Sequence, residues 1–231
     1  MRLQAFRILA RIAAMSALLG LSGFALSATP EELVRPIQER WAEIKYSLPE
    51  KEKAAQFHAL ALQARELVAK YPYIAEPLVW EGIVLSAEAE AEGGVEAYLL
   101  ARKAKDSLEE SLKLHEKALR GSAYTGLAML HARELVWPFG FGSRNKIRAE
   151  KYFRKALAID PEGIDPNFLY GEYLSSLYRL SEARAHLELA LKAALRPGRE
   201  VADFGRREEI HALLAKIEKD LKIIARPAGR R

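Results

Sequence analysis

The chain contains no cysteine among its 231 residues. It therefore cannot form disulfide bonds, and it has neither thiolate metal ligands nor a thiol nucleophile. Isoleucine and valine are also sparse, whereas alanine, leucine, glutamate, lysine and arginine dominate, which favours helices over strands. Half of the residues are apolar, and a chain of this length can bury a sizeable core. Composition thus predicts one helical domain without redox chemistry.

Motifs of catalytic and metal sites are lacking too. The sequence has no G-x-S-x-G elbow, no H-E-x-x-H pair and no G-x-x-x-x-G-K-[ST] loop. Adjacent glutamates such as Glu109 and Glu110 point about 100° apart on a helix, so they do not converge on a substrate. The five histidines fall on different predicted helices: His58, His115, His131, His186 and His211. We predict a protein that is not an enzyme and uses neither cofactor nor metal. The alternative is an enzyme with a polar site assembled only in three dimensions.

The first 28 residues have the pattern of a signal peptide. Arg2, Arg7 and Arg11 precede an apolar run over residues 12–26, and small residues follow at 25–28. About fifteen apolar residues are short for a membrane span, which needs roughly twenty. We therefore predict a cleaved leader at 1–28, a periplasmic location and a single helical repeat domain over 29–231. An uncleaved leader that anchors the chain to the membrane is the alternative.

The basic charge of the chain is concentrated at its two ends. The formal net charge is +5 and the isoelectric point is about 9.3, but three arginines lie in the leader and three more lie at positions 226, 230 and 231. The body between them is therefore close to neutral. This distribution argues against a nucleic-acid partner.

A repeat of thirty-four residues organises the second half of the chain. One triplet of small, large and small residues recurs thirty-four positions later; its copies are Ala149, Phe153, Ala156 and Ala183, Leu187, Ala190. Pro161 closes the first copy, and Gly171 lies on the intervening helix. A third triplet is Ala104, Leu108 and Ser111, and Gly82 and Gly126 occupy positions equivalent to Gly171. Because one helix pair cannot bury its own apolar face, small residues at these positions let the next helix approach closely.

These residues resemble the tetratricopeptide repeat, in which a small-x-x-x-large-x-x-small helix is followed by proline. The resemblance implies an all-α, tetratricopeptide-like superhelical array of antiparallel helix pairs, about nine helices in all, with a C-terminal capping helix. Within it, we predict a helix that continues to Leu119, an N-cap at Asp165 with Pro166 in the first helical position, and a final helix over residues 204–224.

An aromatic connection over residues 137–146 is the most unusual segment of the sequence. It contains three aromatic residues, two glycines and a proline, and such residues leave water only by packing against something. One interpretation is a platform for a ligand or partner, and the other is a loop that folds over the concave face and fills it. Aromatic or charged character near the small-residue positions suggests these groove residues: Trp80, Glu81, Tyr124, Trp137, Phe139, Arg144, Tyr170 and Glu172.

A narrower resemblance covers roughly residues 55 to 217. The segments 76–82, 121–125, 137–142, 165–167 and 196–199 look like those of exported bacterial repeat proteins similar to the T-component of tripartite ATP-independent periplasmic transporters. The resemblance implies a binding scaffold that takes up a protein, peptide or small ligand in its groove, with a periplasmic solute-binding subunit as a possible partner. It also implies that the chain can form homo-oligomers. The chain lacks a lipidation cysteine, so only an uncleaved leader would tether it to the membrane.

Overall fold

The computed structural model describes residues 28–133 and 142–225. Within these ranges the chain forms nine α-helices, one short 3₁₀ helix and no strand, which confirms the predicted all-α array. The α-helices are α1 Pro30–Ser47, α2 Glu50–Lys70, α3 Ala75–Glu92, α4 Gly94–Leu114, α5 Ser122–Ala132, α6 Gly142–Ile159, α7 Ile164–Ser176, α8 Leu180–Lys192 and α9 Glu200–Ile224.

The first helix begins with a capping box. The Thr29 hydroxyl accepts a hydrogen bond from the Glu32 amide at 3.2 Å, and the Glu32 carboxylate accepts one from the Thr29 amide at 2.7 Å. Pro30 occupies the first helical turn, where its missing N–H costs nothing. The helix continues through Pro36 to Ser47 without restarting.

Glycines mark the closest helix crossings. A Cβ placed on Gly171 would lie 2.9 Å from Leu187 Cγ and 3.2 Å from the Ala183 carbonyl oxygen. Extensive contacts join α7 to α8, α3 to α4 and α5 to α6. The three predicted triplets have no exposed surface: Ala104, Leu108, Ser111, Ala149, Phe153, Ala156, Ala183, Leu187 and Ala190. The predicted approach of α7 to α8 is therefore confirmed.

Gly82 lies where α3 and α4 approach each other so closely that a larger residue should not fit. A Cβ at this position would lie 2.5 Å from Leu108 Cγ and 3.0 Å from the Ala104 carbonyl oxygen. Alanine normally stabilises a helix interior by about 1 kcal/mol relative to glycine, but overpacking costs about 1–3 kcal/mol. Since Leu108 is fully buried and has no room to move, we expect Gly82→Ala to lower the free energy of unfolding by about 1–2 kcal/mol in urea titrations.

The double variant Gly82→Ala/Leu108→Ala provides the control for this prediction. Removing the Leu108 branch removes the clash, so the double variant should lose less stability than the sum of the two single variants. A Gly82→Ala protein as stable as the wild type would contradict the proposed packing.

The last helix does more than cap the array. It starts at Glu200 rather than at residue 204, and it contacts α1 as well as α7 and α8. Gly205 is the contact point with α1, because a Cβ there would lie 2.4 Å from Tyr46 Cδ1. Two isoleucines of α9, Ile210 and Ile217, are buried, but Ile224 is exposed. The first and last of the described helices, α1 and α9, are thereby in direct contact.

Two further predicted boundaries were wrong. The fourth helix ends at Leu114 rather than Leu119, because His115 adopts an extended backbone conformation with φ of −156° and ψ of 100°. Leu119 and Arg120 then adopt left-handed backbone conformations with φ of 47° and 56°. This turn leads into Gly121, whose φ of 77° favours glycine, and Gly121 packs against Ile159. Asp165 is not an N-cap either, since α7 starts at Ile164 after Gly163.

Candidate functional site

The odd-numbered helices enclose a cleft that opens to solvent, here called the inner cleft. Its volume is about 140 Å³, close to the cavity of about 150 Å³ that accommodates benzene in an engineered protein core. No lining residue comes from α2, α4, α6 or α8 among the residues described. The lining residues are Trp41, Lys45, Tyr46, Trp80, Ile83, Ser86, Ala87, Glu90, Ser122, Thr125, Gly126, Met129, Arg133, Asp165, Leu169, Arg199, Ala202 and Arg206.

Two tryptophans form the aromatic wall of the inner cleft. The rings of Trp41 and Trp80 meet edge to face, with centroids 6.1 Å apart and an interplanar angle of 71°. Tyr46 meets Trp41 in the same manner at 6.2 Å. Such pairs contribute about 0.5–1.5 kcal/mol beyond the area that they bury. This wall is therefore a rigid apolar surface.

Asp165 is the centre of a network of charged residues on the opposite wall. Its carboxylate accepts hydrogen bonds from Arg196 at 2.7 Å and from Arg206 at 3.1 Å. Arg196 also binds Asp203, which is fully buried. Burial raises the pKa of Asp165, but the charges of Arg196, Arg206 and Arg199 outweigh it and hold the pKa well below its usual range. Asp165 is therefore a permanent carboxylate anchor for the arginines.

Glu209 links this network to the first helix. It accepts hydrogen bonds from Arg206 at 2.6 Å and from the Tyr46 hydroxyl at 3.1 Å, and Lys45 lies 3.2 Å away. Burial raises the pKa of Tyr46 and lowers that of Lys45. The Lys45–Glu209 ion pair and the Tyr46–Glu209 hydrogen bond therefore join α9 to α1 at the edge of the cleft.

Arg199 differs from the other cations of the cleft. Its guanidinium lies over the Trp80 ring, with Cζ 5.3 Å from the centroid. Within residues 28–133 and 142–225, no carboxylate lies within 4.0 Å of it, whereas Lys45, Arg133 and Arg206 each have one. Burial lowers the pKa of Arg199. The charges of Asp165 and Asp203 act on Arg199 from farther away and raise its pKa. The cleft thus offers an arginine that has an aromatic neighbour and no direct ion pair in the described chain.

Three buried N–H groups in the cleft wall also have no acceptor among the described residues. They are the indole nitrogens of Trp41 and Trp80 and Nε of Arg199. A buried donor without an acceptor costs about 1–3 kcal/mol. The cleft wall is therefore short of acceptors rather than of donors.

The predicted groove residues separate into groups. Trp80 lines the inner cleft, and Glu172 lies 3.9 Å from Arg133, which also lines it. Glu81 instead accepts a hydrogen bond from Ser107 on α4 at 2.7 Å. Tyr170 is packed against Phe153, with ring centroids 5.1 Å apart. Glu81 and Tyr170 do not line the cleft, because each lies on the side of its helix that faces the neighbouring helix.

The remaining predictions concern the aromatic connection and Tyr124. Tyr124 is buried, and its ring stacks on Tyr152 rather than facing the cleft. Trp137 and Phe139 lie outside the described residues. Arg144 belongs to the first turn of α6, but its side chain is also outside the described part.

Sequence reasoning did not identify Trp41, Arg199 or the network at Asp165 as part of a site. One signal was present for the network. Asp165 lies among largely apolar residues at the start of α7, between Ile164 and Phe168, where a charged residue needs a partner. Nothing in the sequence says that α9 returns to α1, which is what brings Trp41 and Arg199 into one cleft.

Comparisons with known proteins do not supply a family. The chain matches no protein-family model, and no curated protein matches it either. Among the described residues, no helix combines the length and the apolar character that a membrane crossing requires. In the same residues there is no group of three or more histidine or carboxylate side chains arranged to hold a metal ion.

Proposed function

We propose that the protein is an exported helical-repeat binding scaffold that holds a compact ligand, or a ring-bearing side chain of a partner, in the inner cleft. Arg199 is the observation that carries this proposal, because it is a cation beside an aromatic wall and has no carboxylate within 4.0 Å in the described chain. A ligand with a ring and an anionic oxygen group would match both features. The cleft volume of about 140 Å³ fits one ring rather than an extended peptide.

Binding is favoured over acid–base catalysis by the state of the carboxylates in the cleft. Glu90 is ion-paired with Arg133, and Asp165 is ion-paired with Arg196 and Arg206. A general base near neutral pH needs a raised pKa, whereas the pKa of Asp165 is lowered. The carboxylates of the cleft therefore support a structural role.

The resemblance to transporter T-components extends the proposal to a cellular role. We infer a periplasmic tetratricopeptide-like protein that assists solute uptake and associates with a solute-binding subunit. In this proposal the groove carries the contact with the partner or the solute.

Titration with phenylacetate and with its neutral amide tests the cleft. Met129 is the single methionine after residue 27 and lines the cleft, so its methyl resonance in ¹³C NMR reports occupancy. We expect phenylacetate to shift this resonance and to bind at least about tenfold more tightly than phenylacetamide, since only the acid pairs with Arg199. Arg199→Gln should abolish that difference.

Two further variants control the interpretation. Ala87→Phe fills the cleft and should prevent binding of both compounds, whereas Arg35→Gln removes an exposed cation of α1 and should change nothing. Equal affinity for the acid and the amide, or binding that persists in Ala87→Phe, would refute a cleft that selects ring-bearing acids.

A further inference from the structure

A second cavity lies on the other side of α5 from the inner cleft. On α5, Met129 lines the inner cleft and His131 lines this cavity. Side chains two positions apart on a helix point about 200° apart, so the cleft and the cavity lie on different sides of α5. The cavity has a volume of about 430 Å³ and is bounded by α4, α5 and α6. We call it the basic pocket; its lining residues are Lys105, Glu109, His131, Arg148, Lys151, Tyr152 and Lys155.

The basic pocket contains four cations and one carboxylate. Lys105 forms an ion pair with Glu109 at 2.8 Å. Lys155 donates to the Tyr124 hydroxyl at 3.1 Å and lies 3.8 Å from Glu116. Arg148 and Lys151 have no carboxylate within 4.0 Å in the part of the chain that the structure describes. The pocket therefore has positive charge that the described residues do not balance.

The spacing of these cations along α6 adds to the imbalance. Arg148, Lys151 and Lys155 follow one another at three and four residues, so their side chains lie on one face of the helix. Like charges at this spacing destabilise a helix by about 0.2–0.5 kcal/mol for each pair. A bound anion would remove this repulsion.

The aromatic residues of the pocket do not offer a stacking surface. Tyr152 stacks on Tyr124, with centroids 6.0 Å apart, and on His131, with centroids 5.7 Å apart. Because Tyr124 and His131 are two turns apart on α5, Tyr152 lies between them and neither of its faces is free. Recognition in this pocket must therefore come from charge and hydrogen bonds.

We infer that the basic pocket is a binding site for a phosphate-bearing anion. Its cations come from two helices, Lys105 from α4 and the other three from α6. A phosphate group has oxygens in several directions and can accept hydrogen bonds from both helices, whereas a carboxylate offers two oxygens in one plane. Arginine and lysine are the side chains that bind phosphate most often, arginine by paired hydrogen bonds. The phosphate belongs either to a free compound such as pyrophosphate or to a lipid headgroup.

Calorimetric titration of the full chain with inorganic pyrophosphate tests the site. We expect saturable binding whose affinity falls as salt increases, and at least a tenfold loss in the double variant Arg148→Gln/Lys151→Gln. Lys216→Gln, which removes an exposed cation of α9, is the matched control and should bind as the wild type does. Both altered side chains are exposed, so the fold should be retained, as circular dichroism will verify.

Vesicles separate the two sources of phosphate. If the headgroup is the ligand, vesicles of phosphatidylglycerol should sediment the wild type but not the double variant, and vesicles of phosphatidylcholine should sediment neither. If a free compound is the ligand, pyrophosphate should bind and phosphatidylglycerol should not. The site would be overturned if the wild type and the double variant bound pyrophosphate with equal affinity and also sedimented equally with phosphatidylglycerol vesicles. Acetate that binds as tightly as pyrophosphate would overturn the phosphate assignment.

Discussion

Replacing Phe153 with alanine should lower the free energy of unfolding by about 4 kcal/mol. Phe153 has no exposed surface, and its ring lies 5.1 Å from that of Tyr170 and 5.4 Å from that of Tyr173. The side chain therefore fills the space between α6 and α7. Its loss would leave a cavity that closely packed rings cannot close, which adds a cavity penalty to the lost transfer free energy. Guanidinium titration followed by circular dichroism measures the change.

Phe204→Ala is the matched control for this prediction. It removes the same side chain from α9, but Phe204 is 58% exposed, so we expect a loss of less than about 0.5 kcal/mol. The contrast depends only on burial. A loss below about 1 kcal/mol for Phe153→Ala would mean that the central large residue of the repeat does not hold the helices together.

The repeat was predictable because its physical cause is local. Small residues at fixed offsets reflect the contact between one helix and the next, and this contact depends on spacing within about thirty residues. The structure accordingly places Gly171 against Ala183 and buries Leu187 completely. The same reasoning predicted the contact between Gly82 and Leu108. It did so although the segment from Gly82 to Ala104 is longer than the segment from Gly171 to Ala183.

The inner cleft was not predictable in the same way, because it depends on contacts between distant segments. Trp41 and Arg199 come from opposite ends of the chain and meet only because Gly205 lets α9 approach Tyr46. Aromatic character pointed to Trp80, which lines the cleft, but also to Tyr170, which packs in the core with Phe153. The periodicity of apolar residues does not distinguish the side of a helix that lines the cleft from the side that packs against the next helix, because both sides are apolar.

Asp165 shows how a local interpretation failed for an electrostatic reason. An aspartate before a proline at the start of a helix resembles an N-cap. The carboxylate instead points to Arg196, thirty-one residues later, and to Arg206. The energy of two charge-assisted hydrogen bonds exceeds that of a single capping bond. The sequence contains all three charges but not their proximity.

Asp165→Asn should therefore destabilise the protein by about 3 kcal/mol at pH 7. Breaking a buried ion pair costs about 3–5 kcal/mol, and the lower end applies because the Asp165 side chain remains 29% exposed. The variant keeps the shape of the side chain but leaves the almost fully buried Arg206 with one carboxylate fewer. Asp106→Asn, on the exposed side of α4, is the matched control and should change stability by less than about 0.5 kcal/mol.

The pH dependence of the stability difference between the wild type and Asp165→Asn shows whether the difference comes from the charge of Asp165. The native pKa of Asp165 lies well below its usual value, so the stability that its charge contributes is fully present above about pH 4, the usual pKa of aspartate, and declines as the pH falls below it. Between pH 7 and pH 3, the gap between the wild type and Asp165→Asn should narrow by about 1 kcal/mol, because the unfolded chain takes up a proton that the native carboxylate does not. Urea titrations at both pH values measure this change. A gap that stays constant would mean that Asp165 acts through packing, and the arginines of the cleft would then owe their positions to something other than its charge.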